Sequence, residues 1–126
     1  MKQFVFILIA ALAPALSWAA ATPSATAKEA MPLIQNQKAI LIDVREDSEV
    51  KDGKVKDARV FPTSKMGTPD WEQFVSSLPK DKEIFTYCAR GRRAEKVAEA
   101  LRAKGFKARS AGGFQEWVQS GAKSSP

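Results

Sequence analysis

Glu83-Ile-Phe-Thr-Tyr-Cys-Ala-Arg-Gly-Arg-Arg-Ala94 decides the fold. Its first five residues, rich in β-branched and aromatic side chains after Glu83, suit a strand. A cysteine follows, then a short turn bearing one glycine and three arginines. From Arg92 to Lys104 the chain reads as an amphipathic helix, with Ala94, Val97, Ala98 and Leu101 at helical spacing and Gly105 to terminate it. The order is strand, loop, helix, and it puts Cys88 at the carboxyl end of the strand.

The flanking segments repeat this alternation. Ala39-Ile-Leu-Ile-Asp-Val44 reads as a strand buried on both faces of a parallel sheet, and Arg59-Val-Phe61 as a shorter one ended by Pro62. Thr68-Pro69-Asp70 has the cap, first-turn proline and acid of a helix start. Trp71, Phe74, Val75 and Leu78 give that helix its apolar face. Phe106 to Ser110 is predicted as a further strand, Gly112-Gly113 as a turn, and Phe114 to Ser120 as a short helix with Phe114, Trp117 and Val118 inward. Lys28 to Gln37 is predicted as a short helix that buries Met31, Leu33 and Ile34, with Pro32 awkward unless it lies near the first turn. Strands alternating with helices imply an α/β domain with a mainly parallel sheet. In open sheets of this kind ligands bind beyond the carboxyl ends of the strands, and both Asp43-Val-Arg45 and Cys88 fall at such ends.

Composition narrows the chemistry. The 126 residues support one domain; 44% hydrophobic and 27% charged residues suit an ordinary globular chain. With no histidine, Ser-His and Cys-His couples, an imidazole base and the usual zinc sites are excluded. The single cysteine has no partner for an internal disulfide. Met1-Lys2, the apolar run Phe4–Leu16 and the small residues after it read as an export signal over residues 1–21, cleaved after Ala19 or Ala21. The run is shorter than the roughly 20 residues of a spanning helix, so no stable membrane insertion is expected once it is removed. Its removal takes the net charge from +6 to +5, since Lys2 is its only charged residue. Residues 20–27 read as a short flexible leader, 28–122 as the domain, and 123–126 as a loose tail.

The turn after Cys88 is where local rules are broken. A helix start exposes unpaired N–H groups and carries partial positive charge. Gly91 lets the backbone enter positive φ, so that successive N–H groups aim at one point as an anion nest. Arg90, Arg92 and Arg93 oppose the helix dipole at a local cost, a conflict typical of functional sites. Helix N-termini and adjacent cations favour a cysteine thiolate, so Cys88 is expected to be a reactive nucleophile rather than an inert core thiol. Arg93, at the loop's end, is expected to matter most among the three arginines.

Three segments carry a family resemblance. Cys88-Ala-Arg-Gly-Arg-Arg93 resembles the C-x-x-G-x-R active loop of the rhodanese family, Ile42-Asp-Val-Arg-Glu46 its opening motif, and Ala111-Gly-Gly-Phe114 with Trp117 its carboxyl-terminal segment. They occur in the family's order over about residues 30–120, and with the export signal the chain is most similar to single-domain periplasmic rhodaneses. One departure is Gly53-Lys-Val-Lys-Asp-Ala58, with Lys54 and Asp57 where many members have His and Gly. The resemblance implies a parallel five-stranded sheet flanked by helices, and transfer of sulfane sulfur from a small anionic donor such as thiosulfate to cyanide, a thiol or a protein acceptor. It implies Cys88 as nucleophile, Ala89, Arg90, Gly91, Arg92 and Arg93 as the substrate-binding loop, Arg93 closing it, and Asp43 and Arg45 as supporting residues. Arg45 would act structurally through an ion pair. No cofactor or metal is implied.

Three rival readings are weaker. A cysteine phosphatase or arsenate reductase of related fold needs C-x5-R, but the residue at that position is Ala94. A redox-sensing or binding module would use the same thiol without turnover. Nucleic-acid association through the basic loop is disfavoured by export and by the absence of aromatic residues within it.

Overall fold

The computed structural model describes residues 23–126; the expected export signal lies outside them. In chain order the elements are α1 (Ala27–Gln35), β1 (Ala39–Asp43), α2 (Asp47–Val50), β2 (Lys54–Val55), β3 (Arg59–Val60), a 3-10 turn (Thr63–Lys65), α3 (Pro69–Ser76), β4 (Glu83–Cys88), α4 (Arg92–Ala103), β5 (Ala108–Gly113), α5 (Phe114–Gln119) and β6 (Ser124–Ser125). Four strands form one all-parallel sheet in the order β3-β1-β4-β5. No helix among the described residues is long and apolar enough to cross a membrane.

The pleat of β4 sorts its side chains onto two cores. Ile84 and Cys88 join Ile42, Val44, Trp71, Val97 and Leu101 on the α3–α4 side. Phe85 and Tyr87 join Leu41, Ala30, Ala111 and Trp117 on the α1–α5 side. Both faces of β4 are therefore covered, which is why Ile84 to Tyr87 could be apolar or hydrogen-bonded throughout. Thr86, the one small polar residue in that run, donates from Oγ1 to the Ala94 carbonyl at 2.7 Å. That bond ties the middle of the strand to the first turn of α4.

Several expectations are corrected. The parallel sheet has four strands, not five. The short strand β2 pairs antiparallel with the tail, Lys54 with Ser125 and Val55 with Ser124, so residues 123–126 are not loose. The Tyr87 hydroxyl draws β2 to this position by accepting from the Val55 N–H at 2.9 Å. The domain also begins before Lys28: the Ala25 N–H donates to the Ser110 carbonyl at 2.7 Å, and Arg109 Nε donates to the Pro23 carbonyl at 3.0 Å. Pro32 lies in the middle of α1, where the cap from Glu29 N–H to Thr26 Oγ1 and the buried Ala27 and Ala30 compensate for its missing donor. The last parallel strand starts at Ala108 and runs through Gly112-Gly113 rather than turning there, because Gly113 pairs with Cys88 after a register shift. Val118 is exposed, whereas Trp117 is buried and donates from Nε1 to the Ala111 carbonyl at 2.7 Å.

Candidate functional site

Cys88 ends β4 and the chain turns at once. Gly91 adopts φ 99°, ψ −20° as the residue that opens α4, and it supplies no capping side chain. The expected left-handed turn is present, and its purpose is visible in one contact: the Gly91 N–H reaches Cys88 Sγ at 2.9 Å. The first-turn amides of α4, uncapped, face the same way as the helix dipole's positive end.

The loop is pinned from below. Gly113 lies so close to the Ala89 carbonyl that any Cβ on it would collide with main-chain atoms of Ala89. Gly91 packs on Gly112, whose Cα would lie 3.7 Å from a Cβ at position 91. The glycine pair of β5 is therefore a floor on which the cysteine loop rests. Cys88 itself is only 1% exposed, at the edge of the α3–α4 core. Ala89, Arg90 and Arg92 are exposed and Gly91 half-buried, so the loop over the sulfur faces solvent while the sulfur itself does not. The thiol is thus packed against apolar neighbours but within hydrogen-bond reach of the turn.

The three arginines divide. Arg90 and Arg92 make no side-chain hydrogen bond or ion pair among the described residues. Arg93 makes a bidentate pair with Glu49 of α2, Nη1 to Oε1 at 2.6 Å and Nη2 to Oε2 at 2.9 Å. Arg93's hydrogen bonds hold the Glu49 carboxyl down to about 2 from its usual 4.5, against the opposing effect of burial. In turn the Glu49 hydrogen bonds push Arg93 above its ordinary range, with a smaller contribution from the field of Cys88. Arg93, expected to close the substrate loop, has its guanidinium engaged by Glu49. The sequence reading missed Glu49; the acid at the third position of a short helix beginning Asp47-Ser-Glu49 was its only local signal.

Asp43 and Arg45 are at the right end of the sheet but on its other face. Asp43 is opposite Tyr87 in register, and the Tyr87 hydroxyl donates to its Oδ2 at 2.5 Å. Arg45 donates to the same carboxylate from Nε and Nη2, the latter at 2.7 Å, and also to the Gly53 carbonyl at 2.8 Å. Its guanidinium lies 4.3 Å from the Phe114 ring centroid. The pair is a buried brace joining β1, β4, the start of β2 and α5. A cavity of about 560 Å³ lies elsewhere, against Ala39, Arg59 and Lys82 at the starts of the strands, and does not touch Cys88.

Nearby, Asp57 takes φ 67°. This is where many family members have glycine, and aspartate is among the few other residues that tolerate that region. Lys54, in place of the usual histidine, donates to the Ala58 carbonyl at 3.0 Å and so closes the same turn from the other end.

A four-stranded parallel sheet with helices on both faces, ending in a thiol held over a left-handed turn at a helix start, defines a cysteine-loop α/β domain. The rhodanese-like domain profile matches residues 26–120, and the chain belongs to that family. A mitochondrial thiosulfate sulfurtransferase of Saccharomyces cerevisiae is 35% identical over 97 residues, 68% of this chain and 64% of that protein. A tRNA uridine(34) hydroxylase of Acaryochloris marina is 36% identical over 76 residues, 59% of this chain but 24% of that one. The chain therefore spans less than two thirds of either relative. Among solved structures, a rhodanese-related protein of Thermoplasma volcanium superposes with a TM-score of 0.69 at 26% identity, covering 82% of this chain and 98% of that one.

Proposed function

We propose that this domain is a sulfurtransferase that carries sulfane sulfur on Cys88 as a persulfide, in an exported, periplasmic setting. The observation that carries the reading is the Gly91 N–H at 2.9 Å from Cys88 Sγ, in a positive-φ turn that opens a helix. An amide so placed favours negative charge on sulfur and needs no histidine. In the first half-reaction the Cys88 thiolate attacks the outer sulfur of a donor such as thiosulfate. The sulfur–sulfur bond of the donor breaks, sulfite leaves with the electron pair, and the outer sulfur remains on Cys88 as a persulfide anion. In the second, cyanide, a small thiolate or a protein thiolate attacks that outer sulfur, and the Cys88 thiolate is the leaving group. The charge on the attacking and leaving species balances in each step, and no cofactor takes part.

The sulfurtransferase relative supports this reading over the hydroxylases, which share the domain over only about a quarter of their length. The six-residue span from Cys88 to Arg93 also favours a sulfur atom over the larger phosphate of a C-x5-R enzyme. The test is intact mass of the mature protein after thiosulfate. The expected result is a gain of one sulfur atom that cyanide removes as thiocyanate. No adduct, or one that cyanide leaves in place, would overturn the proposal.

A further inference from the structure

Glu49 and Arg93 meet across 44 positions of sequence. Both side chains are about a third exposed, at 34% and 33%, so the pair contributes little to stability. Its geometry is nevertheless well determined. Glu49 Oε1 also accepts from the Glu46 N–H at 3.1 Å. The Glu46 carboxylate in turn accepts from Ser64, from its N–H at 3.1 Å and its Oγ at 2.7 Å. The short helix α2 is thus tied both to the 3-10 turn and to the cysteine loop. A bidentate pair anchored from behind fixes a guanidinium plane better than a lone contact does. Arg90 and Arg92, exposed on the same loop, make no such pair among the described residues.

We propose that Glu49 is a positioning residue of the Cys88 loop: its carboxylate cancels the charge of Arg93 and fixes that guanidinium as a clamp, leaving Arg90 and Arg92 as the cations that meet an anionic sulfur donor. The identity of the donor rests on the sulfurtransferase reading; the clamp and its charge balance do not. The charged groups around the loop are then Arg90, Arg92 and Arg93 from the loop and α4, Glu49 from α2, and Glu46 from the residue that caps α2. Removing either member of the clamp shifts this balance by one unit, with opposite sign.

The field at the thiol is read by alkylating Cys88 with neutral iodoacetamide and with anionic iodoacetate, at one pH and one ionic strength, and taking the ratio of the two rates. Glu49→Gln is expected to raise the iodoacetate-to-iodoacetamide ratio by about threefold, the scale for a unit charge within ~8 Å at high effective dielectric. Arg93→Gln is expected to lower it by a similar factor. The double variant is expected to return close to the wild-type ratio. A role in folding alone would slow or speed both reagents together and leave the ratio unmoved. The proposal is overturned if neither single variant moves the ratio, or if the double variant stays as far displaced as either single one. The sulfurtransferase reading fails separately: wild-type protein that takes no sulfur from thiosulfate would defeat that reading without altering the alkylation ratios.

Discussion

Gly113→Ala is expected to damage sulfur transfer although position 113 never touches a reactant. Gly113 is buried and pairs in register with Cys88. A Cβ there would overlap the Ala89 carbonyl oxygen, and would stand 2.9 Å from the Ala89 carbonyl carbon and 3.1 Å from Arg90 Cα. All three are main-chain atoms, so no rotamer change removes the clash. The loop must withdraw by most of an ångström, or β5 must. Overpacking of this sort costs about 1–3 kcal/mol of stability. A misplacement near 1 Å at a reacting group costs about 10²-fold in rate, and here it would act on the 2.9 Å contact between Gly91 N–H and Sγ. Gly112→Ala is the control. There a Cβ would meet the Glu116 carboxylate, the mobile end of a side chain, and the strain comes from φ 71° instead, about 1–2 kcal/mol for a non-glycine residue. Urea unfolding and steady-state transfer from thiosulfate to cyanide, measured on both variants, separate the effects. Gly112→Ala should lose stability but keep most of its turnover; Gly113→Ala should lose both. Full turnover in folded Gly113→Ala would refute the claim that the glycine floor sets the loop.

Three further outcomes are expected. Cys88→Ser should take up no sulfur from thiosulfate by intact mass while its circular dichroism and melt stay close to wild type, since Ser fills nearly the same volume. Glu49→Gln should be less stable than wild type by at most about 1 kcal/mol, as befits a partly exposed pair. Because Arg93 lowers the folded-state value of Glu49 to about 2 from 4.5, this contribution is present in full above pH 5, shrinks as pH falls below 4.5 and vanishes near pH 2; a stability gap that widens on acidification would contradict it. Tyr87→Phe leaves the buried Val55 N–H without its acceptor and Asp43 without one donor, so urea titration should show a loss of about 1–3 kcal/mol, while activity per folded molecule is retained because the ring lies on the face away from Cys88.

What could be read from the sequence was what local chemistry decides. Gly91 after a strand permits a left-handed turn, and the turn is there. The strands that end at Asp43 and Cys88 follow from their β-forming runs, and the helix from Arg92 from its helical spacing. What was not legible depends on pairing at a distance. Whether the tail is loose depends on β2 finding Ser124 and Ser125. The face occupied by Asp43 was not legible, because an apolar run buried on both faces shows no alternation that says which side meets the cysteine loop. Glu49 was one acid among several in a charged stretch until α2 was laid against the loop.

This distinction also changes the electrostatics of the site. Read along the chain, Arg90, Arg92 and Arg93 look like three cations around one sulfur. In the fold Arg93 is neutralised by Glu49, and the group that contacts Sγ is a main-chain amide, the Gly91 N–H. Amide dipoles need no ordering of long side chains and are not screened as exposed guanidinium groups are. Their effect depends on where the backbone is held. The hierarchy of substitutions should therefore follow backbone placement before charge: Gly113→Ala should cost more turnover than Arg90→Ala, although only the second removes a cation from the mouth. The kcat/KM for thiosulfate, which registers loss of donor binding as well as loss of turnover, compares the two directly. If Arg90→Ala proved the more damaging, the cationic side chains and not the amide cradle would be holding the sulfur.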